Sequence, residues 1–457
     1  MIAPGRGSKK ELFNGVRSTV RFRSRSAELT RKKFPKKSEL AHFKDRLQVA
    51  VMIHLAADAG LHWLGAFSHG LCTKFAFHFR RGQLTMNKNN HYHYPKRIKV
   101  GVIGATGMVG RRFAQLLAYH PWFEAVIFVG SESSTGMPYR MVWEKKEKKL
   151  QDHYGAHLWK PQAFPDILED VTIAKFEDLL NSDVDVVFSS LPDRGSIFEA
   201  RLLESGKTVF SNSPYRRFDE DAALAVTEVN GNEIGNHTLI KNPNCVTSGL
   251  SLVLAPILER YGVREIVVST YQSLSGRGDA LYDSDLVVGN IYPLFRSEEQ
   301  TESYIRREVN RIFRSPFLMS VTSNRVYVQE GHYVEVRIKT RWPVKNSDEA
   351  CEVLSCFNPL KDSGLPLSPE QPLVLIHEKG RPRPLQDADH FGGMAVAVGN
   401  VSTDDEVFDL RLSYVVNNVV RGAAGAAILN SELWLQQKML AESTLLVPNS
   451  AKAIGAL

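Results

Sequence analysis

Two side chains in this 457-residue sequence have the types and setting for covalent chemistry at an acyl carbon. Cys245 lies in the run Asn242-Pro243-Asn244-Cys245-Val246-Thr247-Ser248-Gly249 and is one of four cysteines. His332 follows in a segment patterned as a strand. A thiolate is a strong nucleophile, and an imidazole can move protons near neutral pH. Upstream, a glycine-rich turn joins a strand to a helix. A nucleotide-binding half followed by a thiol and a histidine points to redox at an acyl carbon through a thioester.

The elements that must position these groups are legible in the pattern. Residues 238–241 read as a short strand that Asn-Pro-Asn breaks, because proline cannot continue a ladder and biases its predecessor away from helix. From Cys245 onward Val246, Leu250, Val253, Leu254, Ile257 and Leu258 form a helical stripe. Cys245 therefore starts a helix, where the dipole and free N–H groups are expected to lower a thiol pKa and to stabilise an oxyanion. A lone cysteine is ordinarily a buried structural residue, but the strand-break-helix setting favours the nucleophile. Residues 264–275 read as a strand ending in Tyr271-Gln272-Ser273-Leu274-Ser275-Gly276-Arg277-Gly278, a loop suited to close approach by a ligand. Residues 317–328 alternate and carry Arg325, Glu330-Gly331 makes a bend, and residues 332–340 alternate cleanly. His332, Val334, Val336 and Ile338 share the apolar face, with Tyr333, Glu335, Arg337 and Lys339 on the other. Alternation alone fits a hydrogen-bonded core histidine as well as a catalytic one. Residues 394–401 and 407–416 also alternate, which predicts an antiparallel or mixed sheet with covering helices. A small-residue helix opens at Asn417-Asn418 and runs to about Leu440.

The first half reads as a dinucleotide fold. Residues 98–103 form a buried strand, Gly104-Ala105-Thr106-Gly107-Met108-Val109-Gly110 follows, and residues 111–120 are helical. Gly104 permits the turn, Gly107 lets backbone approach a pyrophosphate, and Gly110 lets the helix pack on the strand. The helix N-terminus favours phosphate. A second strand at 125–129 ends in Gly130-Ser131-Glu132-Ser133-Ser134, where such folds meet the adenine ribose. Glu132 could accept from a 2′-hydroxyl and favour NAD, the serines could donate to a 2′-phosphate, and the run holds no arginine. Residues 184–188 lead into Ser189-Ser190-Leu191-Pro192 on the nicotinamide side. A helix near 197–205 and a strand at 207–210 continue the alternation, which predicts a parallel doubly wound sheet.

Charge is divided along the chain. The net charge is +7, yet residues 1–95 hold 18 Lys and Arg against 5 Asp and Glu, leaving 39 basic and 45 acidic groups beyond them. The basic balance is thus no sign that the catalytic body binds nucleic acid. Residues 6–46 resemble a basic arm or a transit peptide in composition, and a disordered leader or misplaced start is the favoured reading. Residues 47–79 fall short of a membrane span. The expectation is that Met86, or a residue near it, is the natural start. Cys72, Cys245, Cys351 and Cys356 form neither a disulfide framework nor a zinc pattern, which fits a reducing, cytoplasmic setting.

Several motifs converge in order: GATGMVG, SNSPYRR, NPNCVTSG, QSLSGRG, NRVYVQEGH and NNVVRGAAGAAILNSEL. Over residues 97–440 the chain resembles aspartate-semialdehyde dehydrogenases of the archaeal/fungal type. The resemblance implies an α/β fold, with a Rossmann-type domain at 97–245 and an α+β catalytic and dimerisation domain at 246–416. A helix at 417–445 would pack back on the first domain, and 1–96 stands outside as the leader. It implies NADP, with NAD possible, a small-molecule substrate, phosphate, and a homodimer or homotetramer. No metal, nucleic acid or membrane partner is expected. Cys245 would be the nucleophile and His332 the acid/base. Gln272 would orient the acyl group, Arg325 would hold the substrate α-carboxylate, and Arg216 the phosphate. Asn244, beside the nucleophile, would contact the substrate, and Glu298 or Glu299 would take the substrate ammonium. The dinucleotide would lie against Gly104, Thr106, Gly107, Met108, Val109, Ser131, Ser133, Ser134, Ser190, Leu191, Ser275, Gly276 and Asn418. The chain departs from the family pattern at Thr301, where a phosphate-binding lysine is usual, and at Ser133 and Met137, where an arginine and a lysine are usual. A paralogous malonyl-CoA reductase is the close rival. A non-catalytic dinucleotide-binding regulator is the rival of another class, and the joint presence of Cys245, His332 and Arg325 speaks against it.

Overall fold

The computed structural model describes residues 97–295, 297 and 299–445. Residues 1–96, on which the expected leader and any start at Met86 fall, lie outside them, as does Glu298.

The first half is a six-stranded sheet, every pair of which is parallel. Its strands are β1 (Ile98–Ile103), β2 (Phe123–Val129), β3 (Val186–Ser189), β4 (Thr208–Ser211), β5 (Ala222–Leu224) and β6 (Leu239–Lys241), in the order β2-β1-β3-β4-β6-β5. Strands buried on both faces read as continuous apolar runs, and β3 and β4 are buried at every residue. Phe113, Phe188, Phe210 and Trp434 fill one side, with Val187, Leu202, Val209 and Leu239 on the other. Each such side chain contributes about 1.5–3 kcal/mol by leaving water. Helices α1 (Met108–Leu117), α2 (Tyr139–Tyr154) and α3 (Ser196–Glu204) cover the sheet. Helix α1 begins three residues earlier than the pattern predicts, because extended Gly107 is already its N-cap.

Helix α4 (Cys245–Tyr261) then leads into a seven-stranded mixed sheet. Its strands are β7 (Val263–Gln272), β8 (Tyr292–Pro293), β9 (Leu318–Arg325), β10 (His332–Thr340), β11 (Leu373–Ile376), β12 (Val396–Ser402) and β13 (Leu410–Val416). The order is β11-β12-β13-β10-β7-β9-β8. The expected α/β class, a parallel sheet followed by a mixed one, is what the chain adopts. Val334, Val336, Ile338, Leu412 and Tyr414 pack with Val246, Leu250, Val253 and Ile257 of α4. Helices α5 (Thr301–Ile312) and α6 (Ser347–Ser355) complete that layer. The opposite face, with Tyr271, Tyr333, Glu335 and Arg337, is half-buried. A π-helical turn, Val420–Ala424, precedes α7 (Gly425–Leu445), whose Ala427, Ile428, Trp434 and Leu435 enter the core of the first sheet.

Among the described residues no helix is long and apolar enough to cross a membrane. Among the same residues no group of three or more His, Cys, Asp or Glu could hold a metal ion.

Candidate active site

Four element ends converge: the start of α4, the start of β10, and the ends of β7 and β9. Cys245 opens α4, half-buried, and His332 opens β10, fully buried. The sulfur lies 3.1 Å from His332 Nε2. On the far side of the ring, Nδ1 accepts from the Ser273 backbone N–H at 3.0 Å, with the Ser273 hydroxyl also 3.0 Å away. A backbone N–H can only donate, so Nδ1 carries no proton and the neutral ring holds its proton on Nε2, facing the sulfur. Burial, reinforced by the Arg325 charge, holds the His332 pKa well below its ordinary value.

The thiol corrects one expectation. Burial pushes Cys245 up to about 11, against the pull of the Arg325 charge and of the Val246 N–H. The helix N-terminus is there, but Asn244 caps it, its side-chain oxygen accepting from Val246 N at 3.0 Å. Desolvation of the charged form outweighs the dipole. The resting pair is therefore a neutral thiol and a neutral imidazole. Peptide-resolved iodoacetamide labelling is expected to be slow at Cys245 at pH 7 and to accelerate as pH rises toward 11. A labelling rate that levels off below pH 8 would instead reveal a resting thiolate.

Glu308 of α5, absent from the sequence reading, holds the Asn244-Cys245 turn. Its carboxylate accepts from Asn244 N at 2.8 Å, Thr247 Oγ1 at 2.6 Å and Arg217 Nη1 at 2.8 Å. Burial pushes its carboxyl up, while Arg217 and these donors pull it down. The apolar stripe of α5, with Ile305, Val309 and Ile312 buried, was the available signal for that helix.

Arg325 is fully buried at the end of β9, in register with Gln272 at the end of β7. Its Nη1 donates to Ser273 O at 2.7 Å and its Nε to the Tyr282 hydroxyl at 3.0 Å. Its Nη2 pairs with Glu299, which also accepts from Tyr282. Glu299, the alternative to Glu298, thus occupies the guanidinium fork. Gln272 donates to Thr270 Oγ1 at 3.1 Å. Two glycines give the cluster room. A Cβ at Gly276 would stand 2.5 Å from Arg325 Nη1 and 3.0 Å from His332 Cε1, and one at Gly422 would stand 2.5 Å from the Cys245 Cβ.

Asn418 ties the loops together. Its amide donates to Ser275 Oγ at 2.9 Å, and its oxygen accepts from Ser273 Oγ at 3.0 Å and Gly331 N at 2.9 Å. Arg216 stands apart, paired with Asp219 and Asp221 of its own loop. Thr301 is buried at the start of α5.

The β1-α1 turn has the shape a dinucleotide needs. A Cβ on Gly110 would fall 2.1 Å from Gly104 O, and one on Gly104, at φ +78°, would meet Ser190 Oγ at 2.8 Å. No side chain caps α1 at Gly107, and Met108 and Val109 form its first turn. Ser190 Oγ donates to Gly104 O at 3.2 Å, with Leu191 next in the chain. Beside the turn, a cavity of about 380 Å³ is lined by Thr106, Ser131, Ser133, Ser134, Met137 and three lysines of α2. Arg111, fully buried, donates to Thr106 O at 2.7 Å, Glu147 at 3.1 Å and Asp279 at 3.1 Å. It thereby joins the dinucleotide turn to the loop that flanks His332.

Known proteins match this arrangement. Residues 99–237 match the family profile "Semialdehyde dehydrogenase, NAD binding domain", and residues 254–421 match "Semialdehyde dehydrogenase, dimerisation domain". An aspartate-semialdehyde dehydrogenase of Archaeoglobus fulgidus is 33% identical over 366 residues, 75% of this chain and 100% of that protein. A malonyl CoA reductase (NADP) of Metallosphaera sedula is 27% identical over 370 residues, 75% of this chain and 98% of that protein. The crystal structure of aspartate semialdehyde dehydrogenase with NADP from Candida albicans superposes with a TM-score of 0.64 at 26% identity, covering 75% of this chain and 100% of that one. The chain belongs to the semialdehyde dehydrogenase family.

Proposed function

We propose that this chain reduces L-aspartyl-4-phosphate to L-aspartate 4-semialdehyde, using NADPH and releasing phosphate, through a thioester on Cys245. The observation that carries the reading is the 3.1 Å contact between Cys245 and His332, set beside a buried arginine at the end of β9. The Cys245 thiol loses its proton to solvent, and the thiolate attacks the acyl carbon. The C–S bond forms as the C–O bond to phosphate breaks. The bound cofactor supplies the hydride that reduces the thioester. The resulting thiohemiacetal loses its hydroxyl proton, and its C–S bond breaks to free the aldehyde and return the sulfur as thiolate. The Nε2 proton of His332 stabilises negative charge on the thiolate and on the carbonyl oxygen; it passes to the oxygen of the reduced thioester and returns to Nε2 as the C–S bond breaks. Gln272 orients the acyl group. Arg325 takes the α-carboxylate as a two-bond pair, with Glu299 leaving the fork to meet the substrate ammonium. Arg216 serves as phosphate ligand once released from Asp219 and Asp221.

We assign residues 97–245 to dinucleotide binding, 246–416 to catalysis and dimerisation, and 417–445 to the segment that closes both. The half-buried outer face of the second sheet supports a dimer formed there. The cytoplasm suits a free catalytic thiol.

The test follows nicotinamide absorbance with aspartate semialdehyde plus phosphate, with NADP and NAD in separate runs, and with malonyl-CoA plus reduced cofactors. Phosphate-dependent turnover of the semialdehyde supports the proposal. Turnover of malonyl-CoA alone would assign the thioester chemistry to the rival substrate, and no turnover with any pair would favour the regulator.

A further inference from the structure

We propose that Lys145 and Lys149 of α2 bind the 2′-phosphate of NADP and set the preference for NADP over NAD. The inference deepens the dinucleotide reading above and rests on it. The loop after β2 offers serines and no cation: Ser131, Ser133 and Ser134 hydrogen-bond among themselves and line the cavity of about 380 Å³. The same lining carries three lysines of α2, Lys145, Lys146 and Lys149. Lys145 and Lys149 are four residues apart and Lys146 and Lys149 three, so all three ammonium groups project to one side of the helix. Their charges are not equally available. Lys146 pairs with Asp279 at 3.1 Å, and Asp279 also pairs with the buried Arg111. Lys145 and Lys149 take part in no ion pair among the described residues.

Like charges four apart on a helix repel, so the free protein holds an uncompensated pair that a dianion relieves. Glu132, the acid that would have favoured a ribose hydroxyl, is exposed and does not line the cavity. Among the described lining residues the one carboxylate is that of Asp279, which already has two cationic partners. A phosphate on the ribose therefore meets serine hydroxyl donors and two unpaired ammonium groups. The cation that Ser133 and Met137 do not supply from the loop comes from the helix.

Binding to the full-length protein, without substrate, separates this claim from the catalytic one. Titrations with NADPH, NADH, adenosine 2′,5′-bisphosphate and 5′-AMP are made at low and high salt on the unaltered protein, Lys145→Ala, Lys149→Ala, the double variant and Lys148→Ala. Lys148 pairs with Asp152 and does not line this cavity, so it is the control. The unaltered protein is expected to favour NADPH over NADH and the bisphosphate over 5′-AMP, with the preference shrinking at high salt. Each lysine variant should lose about 5- to 10-fold in affinity for the 2′-phosphorylated ligands, since exposed charge pairs are partly screened. NADH and 5′-AMP should bind as before, and Lys148→Ala should match the unaltered protein. Equal losses for NADPH and NADH, or undiminished NADPH binding in the double variant, would overturn the lysine assignment while leaving the dinucleotide site intact. Failure of the unaltered protein to bind either nucleotide would overturn both.

Discussion

Cys245→Ser is expected to lower kcat by about 10⁴-fold or more, since removing a covalent nucleophile costs about that much even when binding survives. The serine hydroxyl is a poor substitute because its pKa lies far above that of a thiol, and His332 cannot correct this. Its Nδ1 is tied to the Ser273 N–H, so the nitrogen facing the nucleophile already carries a proton. NADPH affinity should stay within about twofold, because the proposed cofactor cradle, at the β1-α1 turn, does not include Cys245. Rapid quenching should show a burst of phosphate in the unaltered protein and none in the variant. A variant retaining a tenth of the rate would remove the thioester from the mechanism.

Arg325→Met is the second large effect, and it separates stability from binding. The guanidinium is fully buried and makes contacts with Ser273, Tyr282 and Glu299. Removing one member of a buried pair costs about 3–5 kcal/mol, because the partner is left uncompensated, although the partial exposure of Glu299 lowers this figure. The double variant Arg325→Met with Glu299→Gln removes both charges and should regain most of the lost thermal stability. Activity should not return: kcat/KM for the semialdehyde should fall by about 10³-fold in the single variant, dominated by KM, and at least as far in the double, which also lacks the partner for the substrate ammonium. Arg325→Lys keeps the charge but loses the two-bond fork, so it should still fall by about 10²-fold. Recovery of kcat/KM in the double variant would show that Arg325 serves the fold and not the substrate.

The sequence is most legible where one residue type has a single plausible use. The alternation from His332 to Thr340 predicts β10 to the residue, because a two-sided strand buries every second side chain. The Asn-Pro-Asn break places Cys245 at the first residue of α4. What a one-dimensional pattern misses is contact between distant segments. Glu308 lies in a helix the reading left unassigned, and its role is defined only by Asn244, Thr247 and Arg217 arriving beside it. The thiol pKa was misjudged for the same reason. The helix N-terminus is a local feature, while the burial that outweighs it depends on elements brought together by the tertiary fold. The strands β5, β8 and β11 lie outside the sequence reading as well.

The π-helical turn at Val420–Ala424 has a consequence for how the protein is made. Gly422 packs directly on the Cys245 backbone and Cβ, so one of the contacts that seat the nucleophile comes from a turn made long after Cys245 itself. At about 5–20 residues per second, a ribosome holds Cys245 for roughly nine to thirty-five seconds before Gly422 is added. During that interval the thiol has neither its final packing nor its full burial. The nascent chain therefore carries a sulfur closer to that of free cysteine, more acidic and more open to oxidation than in the finished enzyme. Arrival of the 420–424 turn shields the nucleophile in the same event that assembles its site.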